Sequence, residues 1–306
     1  MRFAISIPQH VPDGTFNPAA LRAHMRRAEE LDFDGAWTSE QTLGSAPTLG
    51  PIEVLSFAAA CTERIRLGCA VFVATQHNPV QLAKSISSLD QLSLGRVDVG
   101  LGIGAKRQMF TAFDVEASTV VARFNEGLKL MRALWADDRV TFPGRFWQLD
   151  NAAMEPKPFQ RPGPPVWFGG SHPAALRRAV AHADGFIGAG SSTTATFIKQ
   201  VETLREALTD VGREPGTLRI AKRVYVTVDD DPERARSRTA AALHDIYGQY
   251  GATDLTAVAV FGTPQTVVAG LQQIAVAGAE MIVLNPMFDD TEQMERLAAD
   301  VLPHLR

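Results

Sequence analysis

The chain is poor in cysteine. Cys61, on a stretch with helical spacing, and Cys69, inside an apolar run, are the only two in 306 residues. Both read as small buried apolar side chains rather than as halves of a disulfide. An excess of positive charge is also missing: 30 Lys and Arg stand against 34 Asp and Glu, for a net charge of −4. No basic run occurs, so no nucleic-acid partner is expected. No apolar stretch approaches the roughly 18 residues of a membrane span, and the opening MRFAISIPQH lacks the apolar core and small-residue cleavage site of a secretory signal. A reducing cytoplasm, away from membranes, is the expected location. Two catalytic signatures are absent as well. Without His-Glu-x-x-His spacing no metal site is expected, and without a Gly-x-Ser-x-Gly elbow a Ser-His-Asp hydrolase is disfavoured.

What is present is regular alternation. The central stretch, Arg64 to Gly104, opens on an apolar run with Ile65, Leu67, Val71 and Val73, turns at Asn78-Pro79, continues at helical spacing, and closes on Val97 to Ile103. Strand, loop, helix and strand in that order require a crossover, hence a parallel pair. Strands are expected at Arg2 to Ile7, Gly35 to Thr38, the two just named, Val166 to Phe168, Asp184 to Ile187, Leu218 to Val228 and Met281 to Leu284, with helical stretches between them. Phe261-Gly262-Thr263-Pro264 is expected to begin a helix. Eight such units predict an α/β protein, a single (β/α)8 TIM barrel over 1–306. Insertions are expected after strand 4, at Lys106 to Glu116, and between helix 4 and strand 5, where Phe142-Pro143-Gly144-Arg145-Phe146 has the look of a hairpin turn.

In a parallel barrel the carboxyl ends of the strands carry the chemistry. Gln9 and His10 follow strand 1, Ser39, Glu40 and Gln41 follow strand 2, and His77 follows strand 3. These side chains suit a proton donor or substrate clamp, or equally a solvated rim. Gly100 to Gly104 is spaced Gly-x-Gly-x-Gly, which is no dinucleotide fingerprint but leaves room for a flat ring against bare backbone. Gly169, Gly170 and Ser171, ahead of a helix start at Pro173, combine free amides, glycines and a hydroxyl into a phosphate cradle, or a tight turn that needs glycine. Ser191 and Ser192, within Gly188 to Thr194, repeat that pattern beside an N-cap alternative. Lys106 and Arg107 are two cations suited to an anionic tail or simply to water. Tyr247, Tyr250 and Phe113 are candidate pocket walls or dimer contacts.

Taken jointly, several motifs resemble the bacterial luciferase-like flavin-dependent oxidoreductases, and within them the branch using the deazaflavin coenzyme F420. They are Leu67-Gly68-Cys69-Ala70-Val71, His77-Asn78-Pro79, Leu89-Asp90-Gln91-Leu92-Ser93-Leu94-Gly95-Arg96, the glycines after strand 4, Gly169-Gly170-Ser171 with Arg177-Arg178, Ala183-Asp184-Gly185 and Gly262-Thr263-Pro264. The resemblance implies a barrel, usually homodimeric, with coenzyme F420 or alternatively FMN at the strand carboxyl ends. It implies a cis peptide at Ala70-Val71 in a bulge that supports the ring. Ser39, Cys69, Ala70, Val71, Gly102 and Gly104 would then meet the ring, while Gly169, Gly170 and Ser171, with Ser191 or Ser192, would hold the phosphate. Members that oxidise a sugar phosphate carry Asp-His after the strand-2 serine and an acid after the strand-4 glycines. Here those positions hold Glu40-Gln41 and Ala105, and an amide accepts no proton at neutral pH. The function implied is hydride transfer between F420 and a small organic substrate, in the direction of reducing an acceptor, with Glu40, Gln41 and His77 as catalytic candidates. The alternatives are an FMN-dependent monooxygenase and a non-catalytic flavin-binding or deazaflavin-binding protein.

Overall fold

The structure is a computed structural model, described here for residues 1–11, 14–104, 110–247 and 255–306. Its strands are β1 (Arg2–Ser6), β2 (Gly35–Thr38), β3 (Arg66–Val73), β4 (Val97–Gly102), β5 (Val140–Pro143), β6 (Gln148–Ala152), β7 (Val166–Gly169), β8 (Gly185–Gly188), β9 (Arg219–Val228), β10 (Ala259–Gly262) and β11 (Met281–Asn285). The helices are α1 (Pro18–Glu30), α2 (Pro51–Cys61), α3 (Pro79–Leu92), α4 (Val120–Ala136), α5 (Pro173–His182), α6 (Thr194–Asp210), α7 (Pro232–Tyr247), α8 (Pro264–Ala277) and α9 (Asp290–Arg296).

The larger sheet runs β10-β9-β11-β1-β2-β3-β4-β7-β8, and β8 also pairs with β9. Eight strands therefore close a ring with helices in the connections, which is the (β/α)8 architecture expected from the alternation. The ninth strand, β10, departs from the expectation that Phe261 opens a helix. It pairs parallel with the last turn of the long β9, Ala259 against Tyr225 through Gly262 against Val228. Four residues, Ala-Val-Phe-Gly, three of them half-buried, carry too little pattern to announce a strand. The expected hairpin between helix 4 and strand 5 is present as β5 and β6. Of the insertion after strand 4, residues 106–109 lie outside the described residues.

Two compact units make up the chain, residues 1–8, 19–37 and 169–306 in one and residues 9–18 and 38–168 in the other. The first unit buries Phe3, Ile5, Met25, Phe186, Phe197, Leu271 and Ile282 at no more than 1% exposure. Its α8 starts where sequence predicts: Thr263 caps the Thr266 amide and Pro264 occupies the first turn, where no N–H is required. The second unit buries Leu55, Leu67, Phe72, Ile86, Val99, Trp135 and Trp167. There α3 begins at Pro79 with the Asn78 side chain accepting from the Val80 amide at 2.9 Å. Its buried carboxylates are matched: Asp98 takes Arg66 Nε at 2.6 Å and Trp167 Nε1 at 3.0 Å. Asp90 accepts both the amide and the side-chain nitrogen of Gln160, each at 2.8 Å.

Candidate functional site

In the second unit, β3 does not run straight. Its ladder with β4 pairs Leu67, Gly68 and Cys69 with Val97, Asp98 and Val99, then resumes at Phe72 with Leu101 and Val73 with Gly102. One extra residue on β3 makes a bulge, and the Ala70-Val71 peptide within it is cis, where the resemblance implies it. The glycines of β4 are explained by this buckle. A Cβ on Gly100 would lie 2.0 Å from the Cys69 carbonyl oxygen, and one on Gly102 would lie 2.5 Å from Val71 Cγ2. Gly104 has φ +84°, and a Cβ on it would lie 2.7 Å from Val73. The expectation that the missing side chains of Gly102 and Gly104 open space for a ring therefore needs correction. That space is filled by β3 itself, and glycine is needed so that the buckled strand can approach.

Beyond the buckle, two of the expected catalytic residues meet. Glu40 is almost fully buried, its side chain 3% exposed, and its Oε1 lies 2.7 Å from His77 Nε2. The other oxygen, Oε2, accepts the Val73 amide at 2.5 Å, tying the carboxylate to the end of β3. With both oxygens engaged, Glu40 fixes the imidazole and directs its Nε2 hydrogen, so Nδ1 is the nitrogen left to exchange a proton. Gln41 does not join the pair; it is exposed on the following loop. Ser39 is held through its backbone, its amide and carbonyl both bonded to the Gln9 side chain at 2.7 Å. Gln9 is thus a buried staple, and His10 reaches Thr48 Oγ1 at 3.3 Å.

His77 also lines a cavity of about 270 Å³. Its other walls include Phe113, Val115, Phe124 and Trp147, with Arg123 among them. The Arg123 guanidinium sits 4.7 Å from the Phe146 ring centre, and its buried Nε has no hydrogen-bond partner among the described residues. Phe113, expected as a pocket wall, is one; Tyr250, Ala105, Lys106 and Arg107 lie outside the described residues.

In the first unit, β7 ends at Gly169 and α5 begins at Pro173. Gly170 has φ +148° and a Cβ on it would lie 3.0 Å from Ala175, so glycine is required there. His172 Nδ1 caps the helix, accepting the Ala174 amide at 3.2 Å. Among the described residues the amides of Gly170 and Ser171 have no acceptor, and the Ser171 side chain is exposed. The loop after β8 is built differently. Thr193 caps α6 by accepting the Thr196 amide, so the N-cap alternative holds for that residue. Ser192 Oγ donates to the Ala189 carbonyl at 2.7 Å and accepts from Lys222 Nζ at 3.1 Å. Ser191 bonds Tyr247.

Sequence reasoning passed over Lys222. Its side chain is 1% exposed on β9, and Nζ also donates to the carbonyls of Ala189 at 3.0 Å and Ser192 at 2.8 Å. Burial pushes its pKa down to about 7. A signal was available, because a Lys-Arg pair inside the apolar run Leu218 to Val228 is out of place in a parallel strand covered on both faces.

Set against known proteins, residues 1–281 match the profile of the luciferase-like monooxygenases. The chain is 28% identical to the F420-dependent glucose-6-phosphate dehydrogenase of Kineococcus radiotolerans, covering 95% of this chain and 94% of that protein. The protein of the same name from Nakamurella multipartita is 30% identical, over 73% of this chain and 68% of its own. Among solved structures, monooxygenase RslO1 from Streptomyces bottropensis is similar over the whole of both chains, with a TM-score of 0.84 and 26% identity. An F420-dependent secondary alcohol dehydrogenase in complex with an F420-acetone adduct has a TM-score of 0.85 over 100% of this chain and 99% of its own; at 18% identity it shows the fold.

Proposed function

The chain belongs to the luciferase-like monooxygenase family, and within it we propose that the protein is an oxidoreductase passing a hydride between coenzyme F420 and a small organic substrate, in the direction of reducing an acceptor. One observation carries this: a buried carboxylate orients a histidine at the wall of a cavity lined by both polar and aromatic side chains, immediately after a buckled strand. When bound, the deazaflavin supplies the hydride at its C5. The chain's residues do the rest. The bulge at Cys69, Ala70 and Val71, with Ser39 at the end of the neighbouring strand β2, would support the ring. Gly102 and Gly104 serve by admitting the bulge. The unsatisfied amides at Gly170 and Ser171, following Gly169, have the chemistry of a phosphate seat. Ser191 would assist; the Ser192 hydroxyl is already spent on Ala189 and Lys222.

As the acceptor takes the hydride it also needs a proton. His77 gives it from Nδ1 while Nε2–H stays on Glu40, and a proton from water then restores the imidazolium. Gln41 has no part in this, since an amide cannot exchange that proton. Glucose 6-phosphate, named for the relatives, is therefore not the substrate proposed. Homodimer assembly rests on the resemblance, and a cytoplasmic location on the cysteine usage, in keeping with Cys61 and Cys69, which are free thiols.

The test is anaerobic mixing of the protein and reduced F420 with a panel of enones, ketones and nitro compounds, following return of the oxidised deazaflavin absorbance. Reoxidation by at least one acceptor, lost in His77→Gln, is expected. Reoxidation by none would leave the non-catalytic alternative in its place.

A further inference from the structure

Arg223 stands next to Lys222 but serves the opposite face of β9. Successive strand residues point to opposite sides of a sheet. Lys222 packs over the Phe197 ring of α6, at 5.6 Å, and so occupies the helix-facing side. Arg223 and Tyr225 therefore lie on the opposite face of β9, where Tyr225 meets Tyr247 of α7. The guanidinium reaches Asn285, at the carboxyl end of β11, with Nε 2.8 Å from Oδ1 and Nη2 bonded to the same oxygen. Asn285 is 7% exposed and itself anchored, its Nδ2 donating to the Pro286 carbonyl at 3.0 Å. Arg223 lies 5.5 Å from the Tyr225 ring, and the Tyr225 and Tyr247 hydroxyls are 2.6 Å apart. Burial holds the Tyr247 hydroxyl protonated far above the usual tyrosine range.

Five N–H donors on this arginine meet one neutral acceptor. Among the described residues no carboxylate pairs with it. Asn285 takes the edge formed by Nε and Nη2, and among the described residues nothing takes the end-on edge of Nη1 and Nη2, the orientation that receives a carboxylate with two parallel bonds. A half-buried cation with that edge unmatched, backed by a fixed amide and flanked by two tyrosines, is a built anion receptor. We propose that Arg223, positioned by Asn285, binds an ionised carboxylate on the substrate, whose apolar body lies against Tyr225 and Tyr247. This extends the oxidoreductase assignment by naming a substrate class, aromatic or unsaturated acids, and depends on it only for the word substrate.

The probes are benzoate and benzamide, alike in shape and different in charge, titrated into the full chain without cofactor and read by calorimetry. Benzoate is expected to bind about tenfold or more tighter than benzamide, the typical worth of a charge-assisted bond. Arg223→Gln should abolish that preference and Arg223→Lys should keep part of it. A second readout needs no variant at Arg223. The chain has three tyrosines, so fluorotyrosine labelling gives three fluorine signals, and benzoate but not benzamide should shift those of Tyr225 and Tyr247. Equal binding of the two probes, binding of neither, or a preference that survives Arg223→Gln would overturn the proposal. So would displacement of benzoate by F420, which would make the anion the cofactor's own. Because the titration contains no deazaflavin, its failure leaves the hydride-transfer assignment standing, and failure of reduced F420 to react leaves this receptor standing.

Discussion

At the end of β3 and along β9 the molecule buries charge in two contrasting ways. Glu40 is closed off with both oxygens matched, one by the Val73 amide and one by His77. Among the described residues Lys222 and Arg223 find carbonyls, a hydroxyl and one side-chain amide. A buried carboxylate with two donors can hold an imidazole at fixed geometry through repeated proton transfers. Two adjacent cations with no acid among the described residues carry an electrostatic cost that an arriving anion relieves. The charge of the first region is matched within the protein, and that of the second is not.

Substitutions separate the two regions, and the largest effect falls on the first. His77→Gln should lower turnover by about 10²- to 10⁴-fold, the usual worth of a positioned acid–base group, while F420 affinity stays within about twofold; unchanged turnover would place the proton elsewhere. Gly100→Ala comes next. The added Cβ meets the Cys69 carbonyl oxygen at 2.0 Å, a backbone atom that cannot swing away, so urea unfolding should report a loss of about 3 kcal/mol or more. Gly212→Ala, with φ +64° and nothing within 4 Å, should lose only about 1 kcal/mol from its left-handed backbone.

The second region should reveal itself through pH. With the Lys222 pKa at about 7 in the folded chain and at its ordinary 10.5 in the unfolded one, the unfolded chain holds the extra proton between those values. Stability should therefore rise with pH across that window, by up to about 1.4 kcal/mol per pH unit, and the contribution should be flat below pH 7, where both states are protonated. Lys222→Met should remove that slope; denaturant midpoints at pH 7 and 9 for both proteins decide it. The smallest effect belongs to Ser192→Ala, which takes one hydrogen bond from Lys222 and should cost about 1 kcal/mol.

How much of this was legible in the sequence differs between the two regions for a physical reason. The barrel follows from alternating strand and helix patterns punctuated by caps such as Asn78-Pro79 and Thr263-Pro264, all local signals. Glu40 and His77 are visible as polar residues after strands, but 37 positions separate them and only the folded strands bring them within a hydrogen bond. Gly100, Gly102 and Gly104 announce a backbone constraint without saying which neighbour imposes it, and that neighbour is β3 rather than a ligand. Lys222 and Arg223 were visible as an anomaly in an apolar run. Their division between two faces of β9 follows from strand alternation once the strand's boundaries are known.

The central claim, that this is a deazaflavin protein, is tested most directly by titrating the same preparation separately with F420 and with FMN and following cofactor fluorescence. Saturable micromolar binding of F420, with FMN binding at least about tenfold weaker, is the predicted result. Micromolar binding of FMN with none of F420 would contradict it.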